Sequence, residues 1–302
     1  MSSPPRPTGE TGRKAGLTPV KVYLLAFNLL SAALWARLLV ITVWFIVTPR
    51  AGVNYAAVPT TVGGAVQLLS DHLSGSYDFH QLGYHTKYTQ SLAVLEVVHA
   101  ALGLVRSPVG TVASQVASRL WAVWGVVELV PETHTNPLFT TMLLAWSITE
   151  TIRYPFYFFA LLNKAIYAID FLRYNTFLVL YPLGAGSEAF LSFSTVPPLA
   201  SLPYVPRFIN AFHDIVHRLP VSVAQKILHT APGRSFLVAI ARARAAAESG
   251  GYIWTPIQLV RLALFFVWWP ALFELYTYML GQRRKFFRKQ KGKTVAGVNK
   301  SR

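Results

Sequence analysis

Six predominantly apolar stretches dictate what this chain can become: Val22–Val47, Tyr88–Val105, Thr111–Val130, Phe139–Leu162, Phe171–Phe193 and Ile253–Leu280. Each is close to the roughly 20 residues that carry an α-helix across about 30 Å of hydrocarbon. Backbone groups in lipid have no water to bond, so open segments of this length must be helical. The expected fold is therefore all-α, a polytopic membrane protein with six transmembrane helices. Of the 302 residues, 53% are hydrophobic and only 13% charged, which is too apolar for an ordinary soluble domain. Tyr88–Val105 and Thr111–Val130 are the least apolar of the six, and Arg106-Ser107-Pro108 between them turns the chain into an antiparallel pair.

The charge is placed unevenly. The formal net charge is +16, with nine Lys or Arg and no acid in the closing GQRRKFFRKQKGKTVAGVNKSR. The leading segment holds Arg6, Arg13, Lys14 and Lys21. Positive flanks stay on the cytosolic side, so both ends are expected there, which requires an even number of spans. The connection over residues 194–252 carries six Lys or Arg on the opposite side, and its length weakens the charge rule. Within it, Arg207–Arg218 and Ser235–Glu248 read as amphipathic surface segments. The expected organisation is a disordered cytosolic tail over 1–21, a membrane domain over 22–285 containing that connection, and a basic cytosolic tail over 286–302. No basic stretch sits on a recognisable nucleic-acid module, so no nucleic-acid partner is expected. With no cysteine, disulfides, thiolate metal sites and cysteine nucleophiles are excluded.

The segment Thr48–Lys87 reads as a loop with one amphipathic piece near Val62–Leu73. Its histidines, His72, His80 and His85, match no ligand spacing, so no metal site is expected. Ionisable residues inside apolar spans are costly and mark functional or paired positions. They are Glu96 and His99, Arg119 and Glu128, Glu150 and Arg153, Arg173 and Glu188, and Arg261 and Glu274. Glu150 and Arg153 stand three apart on one helix face and can neutralise each other. In the fifth span, Tyr181-Pro182-Leu183-Gly184-Ala185-Gly186-Ser187-Glu188 interrupts the apolar run. Tyr181 and Glu188, seven apart, return to nearly the same face about 10 Å along a helix. Pro182, Gly184 and Gly186 are expected to weaken the helix there and open backbone groups to a ligand. A kinked helix with Tyr181 bonded to Glu188 is the structural alternative to a catalytic pair.

Four stretches together resemble the membrane 3-hydroxyacyl-CoA dehydratase family of very-long-chain fatty acid elongation, also called the protein-tyrosine-phosphatase-like A family. They are LEVVHAALGLVRSPVGTVASQVASRLWAVWG (Leu95–Gly125), LLAWSITETIRYPFYFFALL (Leu143–Leu162), LRYNTFLVLYPLGAGSEAF (Leu172–Phe190) and YTYMLGQRRK (Tyr276–Lys285). The resemblance implies an endoplasmic reticulum protein with six spans and cytosolic termini. It implies that Tyr181 and Glu188, in a YPxGxxxE-type motif with Gly184, form the catalytic pair. Arg153 of the IRY motif and Arg173 of the RYN motif enter as supporting residues, with Glu150 and Tyr154 beside them. The connection between the fifth and sixth spans is longer and richer in Ala and Arg than the family pattern.

The implied reaction removes water from a (3R)-3-hydroxyacyl-CoA to give a trans-2-enoyl-CoA. It needs a base for the Cα proton and an acid for the departing β-hydroxyl. Glu188 as base with Tyr181 as acid is one assignment, and Glu188 acting through Tyr181 is the other. Arg153 and Arg173 either bind the thioester and CoA or pair with Glu150 and Glu188. No metal, redox group or other cofactor is required. The expected partners are the acyl-CoA substrate, the bilayer and, by the resemblance, elongase and reductase enzymes. The competing class is a non-catalytic scaffold or transporter whose buried charges hold helices together, although the chain shows no internal duplication of the kind transporters carry.

Overall fold

The computed structural model describes residues 18–56, 59–202 and 254–300, with isolated positions between 207 and 245. Of the disordered tail expected over 1–21, residues 1–17 lie outside the described residues, while residues 19–21 belong to the first helix; the amphipathic segments Arg207–Arg218 and Ser235–Glu248 and most of the 194–252 connection also lie largely outside the described residues. Among the described residues every regular element is helical. They comprise α1 (Pro19–Val47), α2 (Val62–Leu73), α3 (Leu82–Ser91), α4 (Val94–Ala101), α5 (Val109–Leu120), α6 (Pro137–Leu161), α7 (Tyr167–Arg173), α8 (Phe177–Phe193) and α9 (Pro256–Lys300).

α6 is the centre. α1 packs along one side of it and α8 along another, α2 meets its beginning, and α9 packs on α8. Local chemistry starts each long helix. Asn136 accepts a bond from Leu138 N (3.0 Å) and Pro137 opens α6, while Thr18 accepts from Lys21 N (3.2 Å) ahead of Pro19 in α1. α1 buries Leu24, Asn28, Ser31, Trp35, Leu38, Thr42 and Phe45, a three-and-four spacing that draws one stripe down the helix. Its polar members are satisfied within the helix. Asn28 donates to the Leu24 carbonyl and Thr42 to that of Leu38, each at 2.7 Å. Against this stripe lie Phe139, Met142, Leu143 and Trp146 of α6 and Val123, Val126 and Val127 from the helical turn that follows α5, forming the apolar core.

Two helices, α1 and residues 256–288 of α9, are long and apolar enough to cross a membrane, and α7–α8, bent by 45°, make a third if read as one span. The other expected spans differ from simple rods for identifiable reasons. The second is divided into α3 and α4, where Ala93 N, Leu95 N and Glu96 N each bond a carbonyl three residues back rather than four, a tight turn in place of a continuing α-helix. α3 also starts at Leu82, inside what reads as loop in the sequence. The third is α5 followed by a π-helical turn, Trp121–Val127. α6 has the length, but it carries Thr140, Thr141, Thr149, Thr151, Glu150 and Arg153. The amphipathic piece in the first loop is α2, with the expected limits.

The π turn has a partner. Widening the helix frees the Gly125 carbonyl, and Arg261 of α9, buried, donates to it from Nη2 (2.9 Å) and Nε (3.3 Å). Gly125 is required because a Cβ there would stand 2.7 Å from the Trp121 ring. The loop after α2 is fastened by Tyr77, which donates to Glu128 (2.5 Å) and stacks on His134 at 3.5 Å. Burial and the Glu128 carboxylate push the Tyr77 phenol well above its ordinary value. Lys87 completes the cluster with a 2.7 Å ion pair to Glu128.

Gly125→Ala is expected to force Trp121 aside and weaken the Arg261 contact. The cost is about 1–3 kcal/mol, as for other overpacked sites, and is read as a lower unfolding midpoint of the detergent-purified protein.

Candidate active site

Glu150 stands on the inward face of α6, only 3% exposed, among apolar side chains. A buried carboxylate needs countercharge. It has two: Arg119 from the end of α5 donates to one oxygen, and Arg153, one turn along α6, donates from Nε to the other at 2.6 Å. The guanidinium of Arg153 then grips Glu96 of α4 with both terminal nitrogens, at 2.7 and 2.8 Å. Tyr154 adds its hydroxyl to the same Glu96. The result is a chain of alternating charge, Arg119–Glu150–Arg153–Glu96, that ties α4, α5 and α6 together. Next to it, His99 of α4 meets the Tyr23 hydroxyl of α1 at 2.9 Å.

Trp146 leads from this chain to Glu188. Arg119 lies over its ring, 4.2 Å from the centroid, and the indole N–H donates to Glu188 Oε1 at 2.7 Å. Trp268 of α9 donates to the other oxygen of Glu188 at 3.3 Å. Gly184, one turn before Glu188 on α8, makes the approach possible: its Cβ position is 3.4 Å from Ala145 Cβ and 3.8 Å from Trp146 Cδ1. Anything beyond a methyl group there would push on the indole.

α8 runs unbroken through Tyr181-Pro182-Leu183-Gly184, so the expected interruption at that motif is not where the chain bends. The bend lies earlier, at Tyr174–Thr176, between α7 and α8. Pro182 lacks the N–H that would bond the Leu178 carbonyl, and the Tyr276 hydroxyl of α9 lies 3.5 Å from that carbonyl. The freed backbone group thus faces another helix. With α8 continuous, Tyr181 and Glu188 share a face about 10 Å apart along the axis. No hydrogen bond joins them among the described residues, and the carboxylate oxygens accept from tryptophans instead. Tyr181 is half-buried, its ring edge-on to Phe177 at 6.3 Å, in the field of Arg153 and Arg173.

Of the candidate residues, Glu150, Arg153 and Tyr154 fall in one network, Gly184 and Glu188 meet at the α6–α8 contact, and Arg173 shares the Tyr157 ring with Arg153, whose guanidinium is 5.6 Å from its centroid. The Arg173 guanidinium lies over Phe156 (4.3 Å) and beside Tyr157 (5.1 Å). Arg173 forms no ion pair with Glu188 among the described residues. Sequence reasoning noted Glu96 and Arg119 as buried charges without connecting them to the site, and passed over Trp146 and Trp268 entirely. The histidines of the first loop are otherwise engaged: His72 between the Tyr55 hydroxyl (2.7 Å) and the Ile46 carbonyl (2.6 Å), His80 stacked on Trp44, and His85 against Arg37 (3.0 Å).

A family model described as protein tyrosine phosphatase-like protein, PTPLA, matches residues 90–289. The chain is 31% identical over 268 residues to a protein of Schizosaccharomyces pombe named probable very-long-chain (3R)-3-hydroxyacyl-CoA dehydratase, covering 87% of this chain and 91% of that one. It is 31% identical over 267 residues to the very-long-chain (3R)-3-hydroxyacyl-CoA dehydratase hpo-8 of Caenorhabditis elegans, covering 88% and 94%. A human very-long-chain (3R)-3-hydroxyacyl-CoA dehydratase 2 is 40% identical over 138 residues, covering 44% of this chain and 54% of that one. No solved structure matches the chain.

Removing one member of the buried charge chain strands its partner. Glu96→Gln leaves Arg153 with half its countercharge and is expected to cost about 3–5 kcal/mol if the site stays dry, seen as a fall in the thermal midpoint in detergent. An unchanged midpoint would mean the network is solvated.

Proposed function

The chain belongs to the PTPLA family, and on that premise we propose that it is a hydro-lyase dehydrating (3R)-3-hydroxyacyl-CoA to trans-2-enoyl-CoA in very-long-chain fatty acid elongation. The observation that carries this reading is similarity along nearly the whole of two relatives that bear that activity in their names. The geometry supplies residues for it. Glu188 takes the Cα proton, Tyr181 gives its proton to the β-hydroxyl, the Cβ–O bond breaks, and the Cα–Cβ double bond forms as water leaves. Proton return from Glu188 to Tyr181 through solvent resets the pair.

Each surrounding group then has a task. The indoles of Trp146 and Trp268 fix the Glu188 carboxylate without an ion pair, so it remains available as a base. Arg153 and Arg173 lend positive potential near Tyr181, where negative charge develops as it loses its proton. The acyl chain runs between helices toward lipid, while the anionic CoA portion stays at the basic end of the protein.

The membrane arrangement supporting this chemistry has six spans: α1, α3–α4, α5 with its π turn, α6, α7–α8 and α9. Residues 82–101 and 109–127 each reach about the 20 residues a crossing needs. An even count puts both basic ends on the cytosolic face of the endoplasmic reticulum. The domain limits proposed are 22–285, with the flanking 1–21 and 286–302 outside the membrane. Elongase and reductase enzymes acting before and after this step are the proposed protein partners.

Tyr181→Phe and Glu188→Gln, purified in detergent, are each expected to lose at least ~100-fold in conversion of 3-hydroxyacyl-CoA, the scale of a removed general acid or base. Their unfolding midpoints should match that of the unaltered protein. Full activity in either variant removes that residue from the mechanism.

A further inference from the structure

A cavity of about 460 Å³ opens where the end of α6, the start of α7 and the end of α9 come together. It is separate from the Glu188 contacts. Asn163, Lys164, Tyr174, Gln282, Lys285 and Phe286 are among its lining residues. Its size is that of an ordinary small-ligand site. Its chemistry is mixed in a particular way: two exposed lysines, two side-chain amides and a wall of aromatic rings.

The aromatic wall is ordered. Phe286 stacks on Tyr174 at 4.8 Å and 27°, with Tyr167 behind it at 6.3 Å. The rim is set by Asn163, whose left-handed backbone (φ 54°) ends α6 and turns Lys164 toward the opening. Arg283, Arg284 and Arg288 flank Lys285 on α9, and Arg283 is fastened to Asn175 at 3.1 Å. Asp170, the acid on the lining, supplies an acceptor among these donors.

We propose that this cavity binds the 3′-phosphoadenosine diphosphate portion of the CoA thioester. The adenine rests against the Phe286–Tyr174 wall, and Lys164 and Lys285 meet the phosphates. Lysines serve as point charges for phosphate, and a π face accepts any purine. Position is the second argument. In the six-span arrangement, the ends of α6 and α9 and the start of α7 share the face of the basic tail, where a water-soluble nucleotide arrives. From there the route follows α8: Tyr174 stands at the bend just before that helix, which then runs from Phe177 through Tyr181. The flexible pantetheine arm would run that way, past the Phe156 ring that both lines the cavity and underlies Arg173. The assignment rests on the dehydratase reading for the identity of the thioester.

The test uses the full chain in detergent and the double variant Lys164→Glu/Lys285→Glu, whose altered side chains are exposed. Calorimetry with adenosine 3′,5′-bisphosphate should show binding to the unaltered protein, on the order of tenfold or more weaker binding to the double variant, and no displacement by anionic phospholipid micelles. Kinetics should show a comparable rise in KM for 3-hydroxyacyl-CoA with little change in kcat, and no rise for the same acyl group on pantetheine alone. Equal nucleotide binding by both proteins, displacement by phospholipid, or equal KM changes for both thioesters would overturn the assignment. If the unaltered protein turns over neither thioester, the dehydratase reading fails, and the calorimetry still decides whether the cavity holds the nucleotide.

Discussion

A carboxylate in the middle of an apolar helix is the constraint around which this protein is arranged. Glu150 is nearly inaccessible, and a lone charge there would be prohibitively costly. Its two arginines come from different directions, one from its own helix and one from α5, and Arg153 in turn requires Glu96 on α4. Three helices are thereby held in a fixed rotation about their axes, because the bidentate grip of Arg153 on Glu96 tolerates little turning. Such a network is weak support for stability in itself, but it discriminates strongly between the native register and a shifted one.

The same arrangement reaches Glu188 without transmitting charge to it directly. Trp146 presents its face to Arg119 and its edge to Glu188, so one rigid indole sets the separation between a structural cation and the carboxylate proposed as the base. An arginine in place of that indole would form an ion pair and hold Glu188 as a spectator. Two weaker N–H donors orient the group and leave it competent to accept a proton. Close approach of α8 to α6 at Gly184 is what lets the indole reach.

Much of this was legible in the residue order, and what was not has a common cause. The spacing of Glu150 and Arg153 announces their pairing, because three residues along a helix bring side chains together whatever the tertiary structure. Glu96 and Arg119 are 57 and 31 residues from their partners, and no local pattern encodes that distance. Trp146 sits in an apolar run and reads as core packing, which it also is. The long apolar helices α1 and α9 were plain from length alone. The division between α3 and α4 falls at Leu92-Ala93, two good helix formers, so nothing local marks it. The reverse error occurred at Pro182, where a residue that ordinarily breaks helices is accommodated because α9 brings the Tyr276 hydroxyl up to the orphaned carbonyl.

The π turn at Trp121–Val127 amounts to one residue inserted into an otherwise regular coil. That surplus residue makes a backbone oxygen available sideways, and α9 is latched to it through Arg261. Loss of a single residue anywhere in the turn would restore regular winding, retract the acceptor and rotate everything before it by about 100°. The Arg119 guanidinium, placed just ahead of the turn, would then face away from Glu150. Chain length in this short stretch is therefore fixed from two sides at once, by the docking of the final helix and by the neutrality of the interior.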